Sequence, residues 1–395
     1  LIGEVNPFFW VKEGLLSVTA SNAIRGSTKV GGGVVPAILE FTKDDVVAGN
    51  QQGTLTVCTN GTANLKRMVW DHCYKNFTVR DGGMIKCEDA SFILKATLQG
   101  GKIYCGSNNR LKSTTYWGQG IASEASALTS YFYAGMELNH YDSGNPAYIT
   151  IADGEAPVDL VMKGSFSWTS TSAEKSIEKK GEGVMKMTAN NGASSKSPFL
   201  LSEGVLLCDS TSGSPIGNTE LKVRSGAALG GIGFVGGTER GNVVVAGATD
   251  KPGIIAPGTV DEETGAHLYG TLTVGSEAQN NSVDFGNYSR LNIGVGPKNR
   301  ETRVSDVDKL KVYGVLSIKE NCTLDLVKNT AELDLIAGGV YTIVEADKIE
   351  GTFATVLKPK DSWKVIYVTE GEGEDAVVKR IDVAIPGKGL KVDVR

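Results

Sequence analysis

The stretch at 176–237 limits the fold more than any other part of the chain. It begins SIEKKGEGVMKMTANN and later runs GVLLCDSTSGSPIGNTELKVRSGAALGGIGFVGG. Val184, Met185 and Met187 surround Lys186, Leu221 and Val223 flank Lys222, and Ala228 and Leu229 run straight into Gly230 and Gly231. Alternation of period two over three to five residues sends one row of side chains inward and the next to water. The turns come too often for the strands of a sandwich, and no helical stretch separates them. Glycine, asparagine and serine stand where each corner needs unusual φ/ψ values. Very short strands closed by such corners are what a β-solenoid requires, because each coil must turn several times per circuit. The predicted fold is all-β, a single parallel β-helix with about 20–25 residues per coil.

The same pattern extends in both directions. Strand candidates before residue 107 are LTV at 55–57, FTV at 77–79, FILKA at 92–96 and KIYC at 102–105, with Gly82-Gly83 and Gly100-Gly101 as turns. After residue 148 come ITI, LVM, VVV, LTV, LNI, LSI, two LDL runs and YTIV, separated by glycines. The end of the chain differs. WKVIYV at 363–368, VVKRIDVAI at 377–385 and LKVDV at 390–394 are longer, and PGKG at 386–389 reads as a hairpin connection. An antiparallel end piece of this kind covers the last coil and its edge. At the start, Phe8, Phe9, Trp10 and Val11 form the densest aromatic cluster. The open end of a solenoid needs a cap, and these residues suit one, or else an aromatic platform for a ligand. The expected organisation is an N-terminal cap at 1–18, a first solenoid section at 19–106, an aromatic-rich insertion or irregular coils at 107–148, a regular section at 149–355 and an end module at 356–395.

Composition narrows the class. Fifty glycines against 11 prolines exclude collagen, and 41% hydrophobic residues exclude a disordered chain. A formal net charge of −5 gives no footprint for nucleic acid. No apolar run approaches the roughly 20 residues of a membrane-spanning helix. The sequence starts at Leu1, without Met, and is expected to be a processed piece of an exported protein.

Four of the six cysteines, Cys58, Cys73, Cys87 and Cys105, are spaced close to one coil apart. Residues one coil apart stack at about 4.8 Å, within the Cα range of a disulfide. Coil-to-coil disulfides and a stack of buried thiols both satisfy that spacing. A zinc site does not, since there is no Cys-x-x-Cys pair. No cofactor or metal is expected. The acidic EGEGEDA loop lacks calcium-loop spacing.

Only one segment has the composition of a ligand platform. Around TTYWGQG and SYFYAGMELNHYDSGNPAY, the candidate site residues are Tyr116, Trp117, Tyr133, His140, Tyr141 and Asp142. Trp117 or Tyr133 would stack on a sugar, and His140 and Asp142 would hydrogen-bond its hydroxyls. The competing account packs the same aromatics against the solenoid. General acid–base chemistry needs carboxylates at a defined separation. The available sets are His140 with Asp142, Asp306 with Asp308, and Glu262 with Glu263. None has a specific context. Asp306 and Asp308 alternate with Val307 like a solvated strand face, and Glu262 and Glu263 lie in a glycine-bounded loop. No histidine has a nucleophile-elbow setting.

The 176–191 unit resembles the autotransporter-associated β-strand repeat. It has a lysine (Lys180), a Gly-x-Gly (Gly181, Gly183), an apolar alternation at 184–187 and a closing Asn190. SEGVLLC, GAALGGIGFVGG, IIAPGT with GTLTV, and GVYTIVEADKIEGTF with WKVIYV follow in the order of that family's later blocks. The resemblance covers about half of the chain, 176–383. It implies a right-handed β-helix passenger region, exported and surface-associated. The segment before Tyr148 matches no block. No series of roughly ten-residue alternating strands follows that would build a barrel, so self-transport is not implied. The expected function is a non-enzymatic surface solenoid, an adhesin or stalk, whose partner is a surface glycan or another surface protein. The alternative is a β-helix that binds or cleaves polysaccharide with the 116–148 segment. A plain spacer is the third reading.

Overall fold

The computed structural model describes residues 8–21, 23–47, 53–68, 73–88, 91–93, 95–105, 110–114, 120–139, 147–169, 176–190, 198–217, 219–237, 240–298, 305–328, 339–373 and 376–386. Among these there is no α-helix, and parallel ladders of short strands dominate. The chain divides into two compact units: Leu1–Ser197 with Glu262–Gly265, and Pro198–Asp261 with Ala266–Arg395.

In the first unit, one ladder stacks Phe9–Val11, Thr28–Val30, Thr54–Val57, Asn76–Arg80, Lys95–Gln99, Ile121–Ser123, Ala147–Ile151 and Ile177–Lys180, all parallel. A second parallel ladder runs from Gly14–Val18 to Val184–Met187. A third, shorter ladder joins Ser91–Ile93, Arg110–Thr114, Gly135–Asn139 and Phe166–Thr169. Within 107–148 the described residues include the in-register strands Arg110–Thr114, Ile121–Ser123, Ser130–Phe132 and Gly135–Asn139. Coil length varies with what lies at the corners. Met84 pairs with Lys102 after a short circuit, whereas Ser130 reaches Leu160 only after a much longer one. The N-terminal aromatics form the first described coil. Trp10 donates its indole N–H to the Gly31 carbonyl at 2.9 Å, and Lys29 Nζ lies 4.6 Å from its ring centroid.

Alternation carries the core. Leu55, Phe77, Ile149, Val57, Val79 and Ile151 are fully buried, with Ile121 almost so. Two charged groups inside are well satisfied. Asp159 accepts hydrogen bonds from the Gly154 and Val184 amides at 2.8 and 2.7 Å, and burial pushes its carboxyl up from the ordinary value. Lys179, fully buried, donates to the Gly181 and Gly183 carbonyls, each at 2.7 Å.

The second unit repeats the plan with coils of uneven length. Leu221 pairs with Val243 and Val243 with Val283, while Ala228 pairs with Ile254 and Arg290 with Thr323. The long strand Lys309–Ile318 serves two columns at once: Lys309 to Val312 pair with Thr271–Val274, and Leu316 to Ile318 with Val283–Phe285. Leu221, Val223, Leu272, Val274 and Leu316 are fully buried and Ile318 nearly so, as their alternation predicts. The end is antiparallel, Val377–Ala384 pairing with both Val340–Glu350 and Lys364–Glu370. The hairpin expected through PGKG lies largely outside the described residues.

Candidate functional site

The outward positions of the first ladder in the first unit form two columns. Thr54, Asn76, Lys95, Gly120 and Tyr148 make one; Thr56, Thr78, Thr97, Ala122 and Thr150 make the other. Four coils carry full side chains, but the coil at Ile121–Ser123 offers only glycine and alanine. Rungs of a parallel ladder lie about 4.8 Å apart, so the side chains flanking one bare rung rise from backbones about 10 Å apart and leave a slot between them. Gly120 is bare for a backbone reason. A Cβ there would collide with the Tyr148 carbonyl oxygen, so the close approach of the coils demands glycine. The result is an open groove of about 500 Å³, bounded by Lys75, Asn76, Lys95 and Thr97 on one side and by Tyr148 and Thr150 on the other.

The lining is polar and cationic. Thr54, Thr78, Thr97 and Thr150 offer hydroxyls, and Asn76 an amide whose nitrogen donates to Thr54 Oγ1 at 3.5 Å. Asn76 Oδ1 is screened from solvent and meets no donor among the described residues. Lys75 is exposed and Lys95 half-buried. No carboxylate among the described residues lies within ion-pair distance of either. The Tyr148 ring carries Lys180 Nζ at 3.9 Å from its centroid. Among the described residues, no carboxylate, histidine or cysteine lines the groove. Its hydroxyl, amide and ammonium groups can therefore hold a hydroxyl-rich ligand.

Of the sequence-derived site residues, Tyr116, Trp117, His140, Tyr141 and Asp142 lie outside the described residues. Tyr133 follows directly on Ser130–Phe132 of the second ladder and shares the outward side of Tyr131. Its ring stacks on Tyr104, with centroids 4.3 Å apart and planes 7° apart, and Tyr131 lies alongside at 5.7 Å. Lys163 Nζ lies 5.2 Å from the Tyr131 centroid and 5.6 Å from that of Tyr133. The Tyr133 ring is thus engaged within the ladder. Glu262 joins this cluster, 3.7 Å from both Lys163 and Lys186, although the sequence assigned it to an unremarkable loop. Desolvation first, then the charge and hydrogen bond of Glu262, push the Tyr131 phenol up to about 12.

Asp308 departs from its expected place. The sequence put it on a solvated face, yet it is fully buried. His267 Nε2 lies 2.7 Å from Oδ2, and the Gly270 and Gly294 amides donate to its carboxylate at 3.0 and 3.1 Å. These partners enter from distant parts of the sequence, so no local pattern announces the burial. Among the cysteines, Cys87 and Cys105 are register partners on adjacent strands. Cys58 and Cys73 fall outside that stack. Register partners there, such as Thr54 with Asn76 and Leu65 with Cys87, lie farther apart in sequence than the cysteines do. All four carry thiols rather than disulfides.

The groove residues Lys75, Lys95, Thr97, Gly120 and Tyr148 were absent from the sequence-derived site. Gly120 and Ala122 look like an ordinary turn and strand start. Only the register reveals that they share a face with Lys95 one coil earlier. Compared with known proteins, the chain matches no protein-family model and no curated protein.

Proposed function

We propose that this chain is a non-enzymatic β-solenoid of the surface-adhesin kind. Its groove over Gly120 and Ala122 holds an extended, hydroxyl-rich ligand, a surface glycan. The observation that carries this reading is the composition of the groove: threonine hydroxyls, an amide, two ammonium groups and one aromatic ring, with no carboxylate or histidine in the described lining. Ligand sites combine concavity with a few convergent polar groups, and a solenoid repeats such groups along one face. Export and surface association rest on the resemblance of 176–191 and the blocks after it to the autotransporter-associated repeat.

A glycan array probed with the parent chain and with Ala122→Trp tests the proposal. Ala122 points outward, so tryptophan fills the slot without entering the core. The expected result is retention on at least one saccharide by the parent, loss of that retention in Ala122→Trp, and the same melting temperature for both. A parent chain that retains no saccharide leaves the spacer reading in place.

A further inference from the structure

We infer that the groove selects an acidic saccharide, one bearing carboxylate or sulfate groups, with its anion seated between Lys75 and Lys95 and a sugar ring beside Tyr148. This inference rests on the glycan-binding reading above and gives it a ligand class.

What singles the groove out is that two lysines without an ion pair among the described residues border it together. Arg80 pairs with Glu124 at 3.4 Å and Lys180 with Glu178 at 3.9 Å. On the second ladder Lys66 pairs with Glu88, and Lys163 and Lys186 with Glu262. Lys29, on the same ladder, also lacks a carboxylate partner among the described residues, but its ammonium lies over the Trp10 ring. Lys75 and Lys95 have no carboxylate within ion-pair distance among the described residues, and none lines the groove. They approach from consecutive coils: Lys95 pairs with Asn76, and the Lys95 amide lies 3.4 Å from the Lys75 carbonyl. Both lysines border the same groove, so an anion seated there can meet both ammonium groups. An ammonium group binds carboxylate or sulfate as a point charge.

The remaining lining suits a sugar more than a bare ion. One face of Tyr148 is taken by Lys180, and the ring also borders the slot left by Gly120. An apolar pyranose face fits against such a ring. Thr78 and Thr97 offer hydroxyls that both donate and accept. Rotation about χ2 of Asn76 turns its amide oxygen, which lacks a donor among the described residues, toward a ligand hydroxyl. A nucleic-acid strand would need successive aromatic platforms, and the described lining has a single aromatic ring.

The test uses the full chain in titration calorimetry against two matched pairs. The first is hexagalacturonate and its methyl ester; the second is sulfated and unsulfated cellohexaose. The expected result is that the charged member of at least one pair binds about tenfold or more tighter, as loss of charge-assisted contacts implies. Lys75→Gln and Lys95→Gln each narrow that preference, and together they abolish it, with melting temperatures unchanged. Tyr148→Ala weakens charged and uncharged members alike. If neutral members bind as well as charged ones, the acidic-ligand inference fails while the glycan-binding reading stands. If the double lysine variant keeps the full preference, the anion sits elsewhere and the inference fails. If no saccharide in either pair or on the array binds, the glycan-binding reading itself fails. A single-stranded oligodeoxynucleotide that binds as tightly as the acidic saccharides, and is lost with the same lysines, would overturn the sugar assignment.

Discussion

At the scale of single residues, the direction a side chain points sets its energetics. Leu316 and Lys222 lie on comparable alternating strands, yet Leu316 is fully buried and Lys222 is exposed, paired with Glu220 at 3.0 Å. Leu316→Asp buries a charge without a partner and is expected to destabilise by several kcal/mol, about 3 or more. Lys222→Glu loses only a surface pair, worth about 0–1 kcal/mol. Chemical denaturation of the two variants checks the contrast, and equal midpoint shifts would contradict the inward and outward assignment. Tyr131 supplies a second test. Its phenol is raised from 10.0 to about 12 by desolvation and then by Glu262. The unfolded chain therefore releases this proton near pH 10 while the folded chain holds it. The stability it contributes is complete below pH 10 and is lost between pH 10 and about 12. Glu262→Gln removes the carboxylate's charge and should bring the phenol down toward its ordinary value. NMR titration of ring-labelled tyrosine follows it, and an unmoved midpoint would show that Glu262 does not act on Tyr131.

At the scale of elements, buried polar groups tie strands that alternation alone would leave to slide. Asp308 receives His267 from the Thr259–Val260/His267–Leu268 hairpin, the Gly270 amide just before Thr271–Val274, and the Gly294 amide within Arg290–Lys298. Burial pushes its carboxyl up, and the hydrogen bond and charge of His267 oppose that shift. Asp308→Ala strands two amides and frees the hairpin. Each unsatisfied buried donor costs about 1–3 kcal/mol, so the variant is expected to lose several kcal/mol. Asp308→Asn, which keeps one acceptor, should lose less. Hydrogen exchange distinguishes this from a general weakening: protection at Gly270 and Gly294 should fall in Asp308→Ala before protection at Leu221 and Val223 does. Uniform loss would assign Asp308 no special role in holding these strands. The bulge in the pairing of Lys309–Ile318 with Val340–Glu350 falls between Val312 and Val315, where Gly314 takes φ 153°. A glycine there lets one strand serve two columns of partners.

At the scale of the whole molecule, the net charge and the groove have opposite signs. The chain carries a formal net charge of −5, whereas the described lining of the groove contains two lysines and no carboxylate. Long-range repulsion of an acidic ligand is screened within a Debye length of about 8 Å at physiological salt, while contacts to Lys75 and Lys95 are short-ranged. Raising salt from low values should therefore leave association rates steady or slightly faster and speed dissociation. Surface-plasmon kinetics at several salt concentrations checks this. A steep fall in the association rate with salt would mean that steering by an unrecognised positive surface dominates.

Period-two alternation, frequent glycine corners and the longer strands near the end made the all-β solenoid and its antiparallel finish legible in the sequence. These are local properties, each decided within a few residues. Inward rows such as Leu221 with Val223 and Leu316 with Ile318 follow from the same rule. Register was not legible, because it relates residues a full coil apart through corners of variable length. Tertiary structure alone placed Cys87 beside Cys105 and kept Cys58 and Cys73 out of that stack. It also buried Asp308 by bringing His267, Gly270 and Gly294 to it. The groove has the same origin. Gly120 and Ala122 mean little by themselves, and Lys75, Lys95 and Tyr148 are unexceptional surface residues. Stacking the coils puts a bare rung between them, and that slot exists only when neighbouring coils supply its walls.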